Sequence, residues 1–190
     1  MILASQSPRR IELMREAGFD VRIIPADIDE TPLEDETPEH LVGRLSRCKA
    51  QTVADAYGDP GEIVVAADTV VAIDDEVLGK PSDVDDARRM LRELSGRTNQ
   101  VATGVCLVVA QRPDISPVNF VEITDVTFFD LTDEEIEAYV ASGEPMDKAG
   151  AYGIQGTGGR MLVRKIDGDF YNVVGLPIAH VVRALARLEQ

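Results

Sequence analysis

Ile63-Val64-Val65-Ala66-Ala67-Asp68-Thr69-Val70-Val71-Ala72-Ile73 is the stretch on which the fold turns. Ile63–Ala67 is a continuous apolar run, which predicts a strand covered on both faces, the pattern of a sheet's central strand. Asp68 follows this run, and Thr69–Ile73 resumes it. A carboxylate leaving a buried strand is unusual, because a desolvated charge is costly without a partner. Such groups bind a metal or act as an acid or base. An Asp that caps a turn at a strand end would give the same local pattern.

Toward the N-terminus, Thr37-Pro38 opens a long helix to about Tyr57, ended by Gly58-Asp59-Pro60. Before it, Pro25–Asp35 is an acidic loop containing Asp27, Asp29 and Glu30. Val21–Ile24 predicts a strand. Ile11, Leu13, Met14 and Ala17 have helical spacing behind an N-cap at Ser7 and a proline at Pro8, with Gly18 as the stop. Met1–Ala4 predicts a short buried strand. Toward the C-terminus, Asp74-Asp75 reads as a hairpin turn. Ser82 and Asp85 match a capping-box-like helix start, with Gly96 as its stop. Val101–Gln111 and Val118–Phe129 predict two long strands. Thr132 and Glu135 form a further capping box for a helix ending at Gly143. Glu144–Gly159 is irregular and rich in glycine, Met161–Ile166 predicts a strand, Gly168 a turn, and Pro177 opens a last helix through Leu188. This mixture of strands, helices and hairpins gives the α/β (mixed α+β) class with a mixed sheet. Neither a repeat nor a linker divides the chain, so residues 1–190 read as one domain, or two lobes sharing a core.

The 190 residues carry 19 Lys+Arg against 34 Asp+Glu, a formal charge of −15. That balance argues against a nucleic-acid-binding face or an anionic membrane surface. It leaves room for a small phosphate site, where a few cations are focused. Only four of the basic residues are lysines: Lys49, Lys80, Lys148 and Lys165. Cys48 and Cys106 are too far apart for a metal cluster or redox pair and read as small core or semi-buried thiols. No apolar run approaches the roughly 20 residues of a membrane helix, and Met1-Ile2-Leu3-Ala4 lacks signal-peptide character. The expected compartment is the cytoplasm.

Four segments carry candidate chemistry. Ser5-Gln6-Ser7-Pro8-Arg9-Arg10 joins a strand end to a helix start. Free N–H groups, the dipole and two forked guanidiniums there suit phosphate, although a plain helix cap with two surface arginines has the same pattern. Asp68-Thr69 is the second. Gly79-Lys80-Pro81 offers a lysine on a turn, and a surface turn explains it equally. Asp147-Lys148-Ala149-Gly150-Ala151-Tyr152-Gly153-Ile154-Gln155-Gly156 is the fourth. Its glycines permit close approach of a ligand to backbone, or simply a structural loop. It matches neither Walker A nor Gly-x-Gly-x-x-Gly. His40 and His180 are lone helical histidines, so no Ser-His-Asp set or histidine metal cluster is available.

Taken together, Ile2–Arg10, Ala67-Asp68-Thr69, Gly79-Lys80-Pro81, Leu94-Ser95-Gly96, Asp147–Gly156 and Val173-Val174-Gly175-Leu176-Pro177 resemble the Maf family, in order and over essentially the whole chain. The resemblance implies a nucleoside triphosphate pyrophosphatase that cuts between the α and β phosphates. It implies an inosine triphosphate pyrophosphatase-like fold, a long mixed sheet with flanking helices and a cleft between two lobes. It also implies Mg²⁺ or Mn²⁺ as cofactor, a nucleoside triphosphate as the small-molecule partner, and a homodimer. By the same resemblance Ser5, Arg9 and Arg10 hold phosphates, Glu30 and Asp68 bind metal, and Asp68 is the proton acceptor that activates water. Lys49 and Lys80 neutralise the triphosphate, and Lys148 joins the substrate-binding set. Arg9, Thr69 and Gln155 match the specificity positions of the dTTP- and UTP-preferring branch; the branch acting on 7-methyl-GTP usually has a bulky residue for the first arginine. A nucleotide-sensing regulator of cell division is the alternative outside catalysis. Asn99 departs from the His that relatives often carry.

The acid excess with few lysines predicts a protein adapted to a high-salt cytoplasm, where salt screens self-repulsion; an ordinary acidic enzyme is the alternative. The melting temperature is therefore expected to fall as KCl is lowered from molar to low-millimolar concentration. An unchanged thermal midpoint across that range refutes the adaptation.

Overall fold

A computed structural model describes residues 1–74 and 76–188, so the Asp75 half of the expected Asp74-Asp75 turn lies outside the described residues. The apolar stretch forms one unbroken strand, β3 (Ile63–Ile73), with Asp68 at its middle rather than at a strand end. Seven strands are described: β1 (Ile2–Leu3), β2 (Arg22–Ile23), β3, β4 (Glu76–Leu78), β5 (Thr98–Val109), β6 (Val118–Phe128) and β7 (Val163–Asp167). They form a sheet ordered β2-β1-β3-β5-β6-β7, with β4 paired to β3. Strand β1 runs parallel to β2 and β3, while β4 on β3 and β7 on β6 are antiparallel. The sheet is therefore mixed, and β3 has the central place its apolar run predicts. The helices are α1 (Pro8–Glu16), α2 (Pro38–Tyr57), α3 (Val84–Leu94), α4 (Asp133–Ala141), α5 (Gly159–Leu162), α6 (Phe170–Val174) and α7 (Ile178–Leu188). None of the described helices is long and apolar enough to cross a membrane.

Two compact units divide these elements: Met1–Asp68, Thr103–Glu122 and Gly175–Gln190 in one, Thr69–Ala102 and Ile123–Val174 in the other. In the first unit, strand alternation puts Val64 and Ala66 of β3 on the face that packs with Ala50, Val53 and Ala54 of α2, joined by Ile2, Ala4, Cys106, Val108 and Ala110. Helix α2 starts as the sequence predicts: Thr37 accepts the His40 N–H at 3.3 Å, and Pro38 follows it. Helix and sheet approach closely at Gly104, where an added Cβ would lie 2.1 Å from the Val42 carbonyl oxygen. Cys106 is buried, and desolvation pushes its thiol up to about 11; Cys48 is exposed, where a small core or semi-buried thiol is expected from the sequence.

In the second unit, Val71, Ile73, Ala87, Met90, Leu91, Leu94, Val126, Phe128 and Ile136 form the core with Tyr139, Val140 and Tyr152. Arg88 and Arg92 of α3 reach Glu137 and Asp133 of α4 at 2.6 and 2.9 Å. Several boundaries differ from expectation. The cap of α3 is Asp83, which accepts the Asp86 N–H at 2.8 Å, while Asp86 accepts the Ser82 N–H at 3.0 Å. The expected box of Ser82 and Asp85 is thus displaced by one residue, because Asp is as good a cap as Ser. Thr132 and Glu135 do form the reciprocal box. The strand expected over Met161–Ile166 begins only at Val163, after the short helix α5. Helix α6 was not legible in the sequence; Asn172 there donates to the Val101 carbonyl and to Thr124 Oγ1, at 2.9 and 3.0 Å, a tertiary tie without periodicity.

Backbone lies where a new methyl group at Gly104 would go, so no side-chain rotation relieves the clash. Gly104→Ala is expected to destabilise the protein by at least about 2 kcal/mol. Urea unfolding measures this directly, and a midpoint like that of the unsubstituted protein contradicts the close approach.

Candidate active site

The same alternation that buries Val64 and Ala66 against α2 turns Asp68 toward that helix. Lys49 lies one residue before Ala50 in α2, and its ammonium meets the Asp68 carboxylate at 2.6 Å and that of Glu30 at 2.8 Å. Lys49 and Asp68 are 9% and 8% exposed, whereas the Glu30 side chain is 57% exposed. A buried carboxylate is thus compensated by a buried ammonium, and a second carboxylate from the acidic loop shares that cation. The orientation of Lys49, which the sequence left undetermined, is set by this contact.

Arg10 projects from the first turn of α1 toward the same strand. Its Nε donates to the Gly175 carbonyl at 2.8 Å, and its Nη1 to the Ala67 carbonyl at 2.7 Å and Ser5 Oγ at 3.4 Å. Burial lowers its pKa, opposed by the charges of Asp68 and Glu30. A guanidinium keeps its proton under such a shift. Ser7 occupies the N-cap of α1 and Pro8 its first position, as expected, but the Ser7 side chain makes no capping bond. The buried Ser5 hydroxyl instead accepts the Ser7 N–H at 3.2 Å. Arg9 is half-buried on the same turn.

A second clamp, not foreseen from the sequence, holds the acidic loop. Arg44 of α2 grips both oxygens of Glu36 at 2.6 Å and donates to the Thr31 carbonyl at 3.2 Å, while Asp29 accepts the Thr31 N–H at 2.9 Å. This forked bond pulls the Glu36 carboxyl down to about 2. Glu36 and Arg44 fall eight residues apart across a helix start, a spacing that carries no periodic signal.

Glu30 and Asp68 supply carboxylate oxygens, the donor type that Mg²⁺ and Mn²⁺ favour. Among the described residues no group of three or more His, Cys, Asp or Glu is gathered for a metal. A pair of carboxylates fits the way Mg²⁺ is usually held, by one or two carboxylates with water and substrate phosphates completing the shell.

In the second unit, Thr69 lies on the β3 face it shares with Val71. Gly150, at φ +66°, packs against Val71, where an added Cβ would come within 2.9 Å of Cγ1. The Gly150 N–H donates to the Gly79 carbonyl at 3.0 Å. That bond joins the Gly-Lys-Pro turn, with exposed Lys80, to the glycine-rich segment. Gln155 is exposed, and Lys148 is half-buried with its ammonium on the Glu144 carbonyl and Asp147, each at 2.6 Å. The glycines at 153 and 156 lie against the protein's own Lys148 and Glu144 side chains, as the structural-loop alternative has it. Asn99 has a structural partner: it accepts the buried Tyr152 hydroxyl at 3.1 Å and donates to the Val126 carbonyl at 3.0 Å.

The family model for Maf-like proteins matches residues 1–188. A protein of Nitratidesulfovibrio vulgaris named dTTP/UTP pyrophosphatase is 50% identical over 188 residues, 98% of this chain and 87% of the relative. Proteins with the same name from Koribacter versatilis and Bacillus cereus are 50% and 47% identical, covering 98% and 100% of this chain and 93% and 95% of theirs. Among solved structures, a HAM1 protein from Coxiella burnetii aligns with a TM-score of 0.53 at 17% identity, over 98% of both chains. The Staphylococcus aureus Ham1 protein aligns with a TM-score of 0.55 at 14% identity, over 100% of this chain and 98% of its own. At such identities the likeness shows the fold alone, the mixed-sheet architecture expected above.

Because the Glu36 carboxyl is depressed in the folded state, its contribution is present above the unfolded value near 4.5 and is lost as pH falls toward about 2. Glu36→Gln is therefore expected to lower the urea midpoint at about pH 6, with the gap to the unsubstituted protein closing on acidification to about pH 2. A gap of constant size over that range contradicts the clamp.

Proposed function

This chain belongs to the Maf family, and we propose that it is a metal-dependent pyrophosphatase hydrolysing dTTP and UTP to the nucleoside monophosphate and pyrophosphate. The observation that carries the proposal is Asp68, buried mid-strand and 2.6 Å from Lys49. A carboxylate held there at the cost of desolvation suits a proton acceptor, and the near-full-length relatives bearing that enzyme's name support the same reaction.

In the proposed reaction, a water oxygen forms a bond to the α-phosphorus while the bond from that phosphorus to the α–β bridging oxygen breaks. The water proton passes to the Asp68 carboxylate, and the electron pair leaves on pyrophosphate. Ser5, Arg9 and Arg10 bind phosphate oxygens, and Lys49, Lys80 and Lys148 balance the polyanion. Arg10, tied to the Ala67 carbonyl at 2.7 Å, also steadies the strand immediately before Asp68. Thr69 and the Gln155 amide pair with the carbonyl and N–H edge of a pyrimidine. Glu30 and Asp68 would hold Mg²⁺ or Mn²⁺, which would supply charge stabilisation at the phosphates. A cytoplasmic homodimer acting on free nucleotides completes the proposal. A pyrophosphatase for 7-methyl-GTP or other non-standard nucleotides is the alternative within catalysis. A nucleotide-sensing regulator has no use for a water-activating carboxylate, and Asp68 favours the enzyme.

Pyrophosphate release from a panel of triphosphates, with Mg²⁺, Mn²⁺ or a chelator, tests the proposal. Turnover of dTTP and UTP is expected to dominate and to stop with the chelator. Asp68→Asn is expected to lower kcat by at least about a hundredfold while the protein stays folded by circular dichroism. Faster turnover of 7-methyl-GTP or inosine triphosphate overturns the substrate choice. Near-normal turnover by folded Asp68→Asn overturns the role of Asp68.

A further inference from the structure

Glu144 stands at the start of the glycine-rich segment, and the segment is wrapped around its side chain. Oε2 accepts the Gly158 N–H and Oε1 the Gly159 N–H, each at 3.2 Å. Oε1 also accepts the Tyr139 hydroxyl at 3.2 Å, and that hydroxyl accepts the Gly153 N–H at 3.2 Å. The carboxylate thus reaches both sides of a short span: Gly158 and Gly159 directly, and Gly153 through Tyr139. Between these anchors lies Gln155, within a turn closed by the Gly156 N–H on the Gly153 carbonyl at 3.1 Å. The main-chain carbonyl of Glu144 accepts the Lys148 ammonium at 2.6 Å. One residue therefore ties down the segments bearing Gln155 and Lys148.

The glycines record how tightly the segment closes on this side chain. An added Cβ at Gly156 would fall 1.5 Å from Glu144 Oε1, and one at Gly158 would fall 2.6 Å from the Tyr139 ring. Gly159 has no more room, since its Cβ would lie 2.2 Å from the Gly153 carbonyl oxygen. Backbone N–H groups bound to a carboxylate make charge-assisted hydrogen bonds, which are stronger than neutral ones. An exposed turn held by few apolar contacts is otherwise a low-stability region of a fold. Ile154, buried beside exposed Gln155, is the one apolar side chain of the span that contributes packing.

We propose that Glu144, acting with Tyr139, is a positioning residue that holds the Gly153–Gly159 span closed and thereby sets the place of Gln155 for base recognition. The proposal rests on the pyrimidine triphosphate reading above. It assigns Glu144 no contact with substrate and no part in the bond-breaking step. Its removal therefore acts on substrate binding and on selectivity, rather than on the chemical step.

Glu144→Gln keeps the size of the side chain but replaces one accepting oxygen with an NH₂ that faces N–H donors. Tyr139→Phe removes only the link to Gly153. For Glu144→Gln the KM for dTTP and UTP is expected to rise at least about tenfold, the scale of a misplaced substrate contact. Its kcat should stay within about twofold, and the preference for dTTP over GTP should shrink. Tyr139→Phe is expected to move the same quantities in the same direction by less, and it carries the test if Glu144→Gln does not fold. Hydrogen exchange supplies a readout independent of activity: the Gly153, Gly158 and Gly159 amides should lose protection in Glu144→Gln while the melting temperature and α2 stay close to those of the unsubstituted protein. Unchanged KM, selectivity and amide protection in folded variants overturn the proposal, as does a fall in kcat at constant KM. An unsubstituted protein that ignores dTTP and UTP instead overturns the reading beneath it, and the exchange experiment still decides whether Glu144 holds the span.

Discussion

A carboxylate in the middle of a buried central strand is the constraint from which the arrangement of the first unit follows. Asp68 is buried in a largely apolar strand, so water cannot compensate its charge fully, and Lys49 does so at 2.6 Å. Breaking one partner out of such a pair typically costs about 3–5 kcal/mol, whereas the intact pair contributes little net stability. The pair is thus expensive to keep for folding alone, and its retention speaks for chemistry. It also dictates registry: α2 must present Lys49 to the same face that receives Ala50 and Val53, and Gly104 must let the helix backbone come close.

Two further devices place charged groups. Arg44 grips Glu36 and Thr31, which fastens the acidic loop from which Glu30 reaches Lys49. Arg10 binds the main chain at Ala67 and Gly175, so one cation fixes both the end of the apolar run and the segment leading into α7. In the second unit, backbone N–H groups are turned onto the Glu144 carboxylate. That solution demands glycine, because the side chain it encloses leaves no space for a Cβ.

Much of the fold was legible because its signals are local. The central strand followed from an apolar run, α2 and α4 from their caps, and the mixed sheet from hairpins alternating with helices. The one-residue displacement at the α3 cap shows the limit of such signals, since Ser82, Asp83, Asp85 and Asp86 all carry capping chemistry and only backbone geometry selects Asp83. Helix α6 and the start of β7 were hidden because contacts distant in sequence hold them, such as Asn172 on Val101. At the site, Asp68 stood out as a charge in an apolar run. Glu144 did not, because a Glu before a proline in a glycine-rich segment looks like any exposed acid until its donors are folded around it.

The sequence by itself determined the class of fold, the central strand with its misplaced carboxylate, the scarcity of lysine and the motif set that marks the family. These properties depend on residue type and short-range order, which the chain carries before it folds. Only the tertiary structure decided that Lys49 faces Asp68 and shares its ammonium with Glu30, that Arg10 donates to the main-chain carbonyls of Ala67 and Gly175, and that Gly150 ties the lysine turn to the glycine-rich segment. It also decided that the glycines of that segment enclose Glu144 and Lys148. Each of these joins residues from separate elements, and such pairings are set by packing, register and the need to compensate buried charge, none of which is written in the spacing of a single segment.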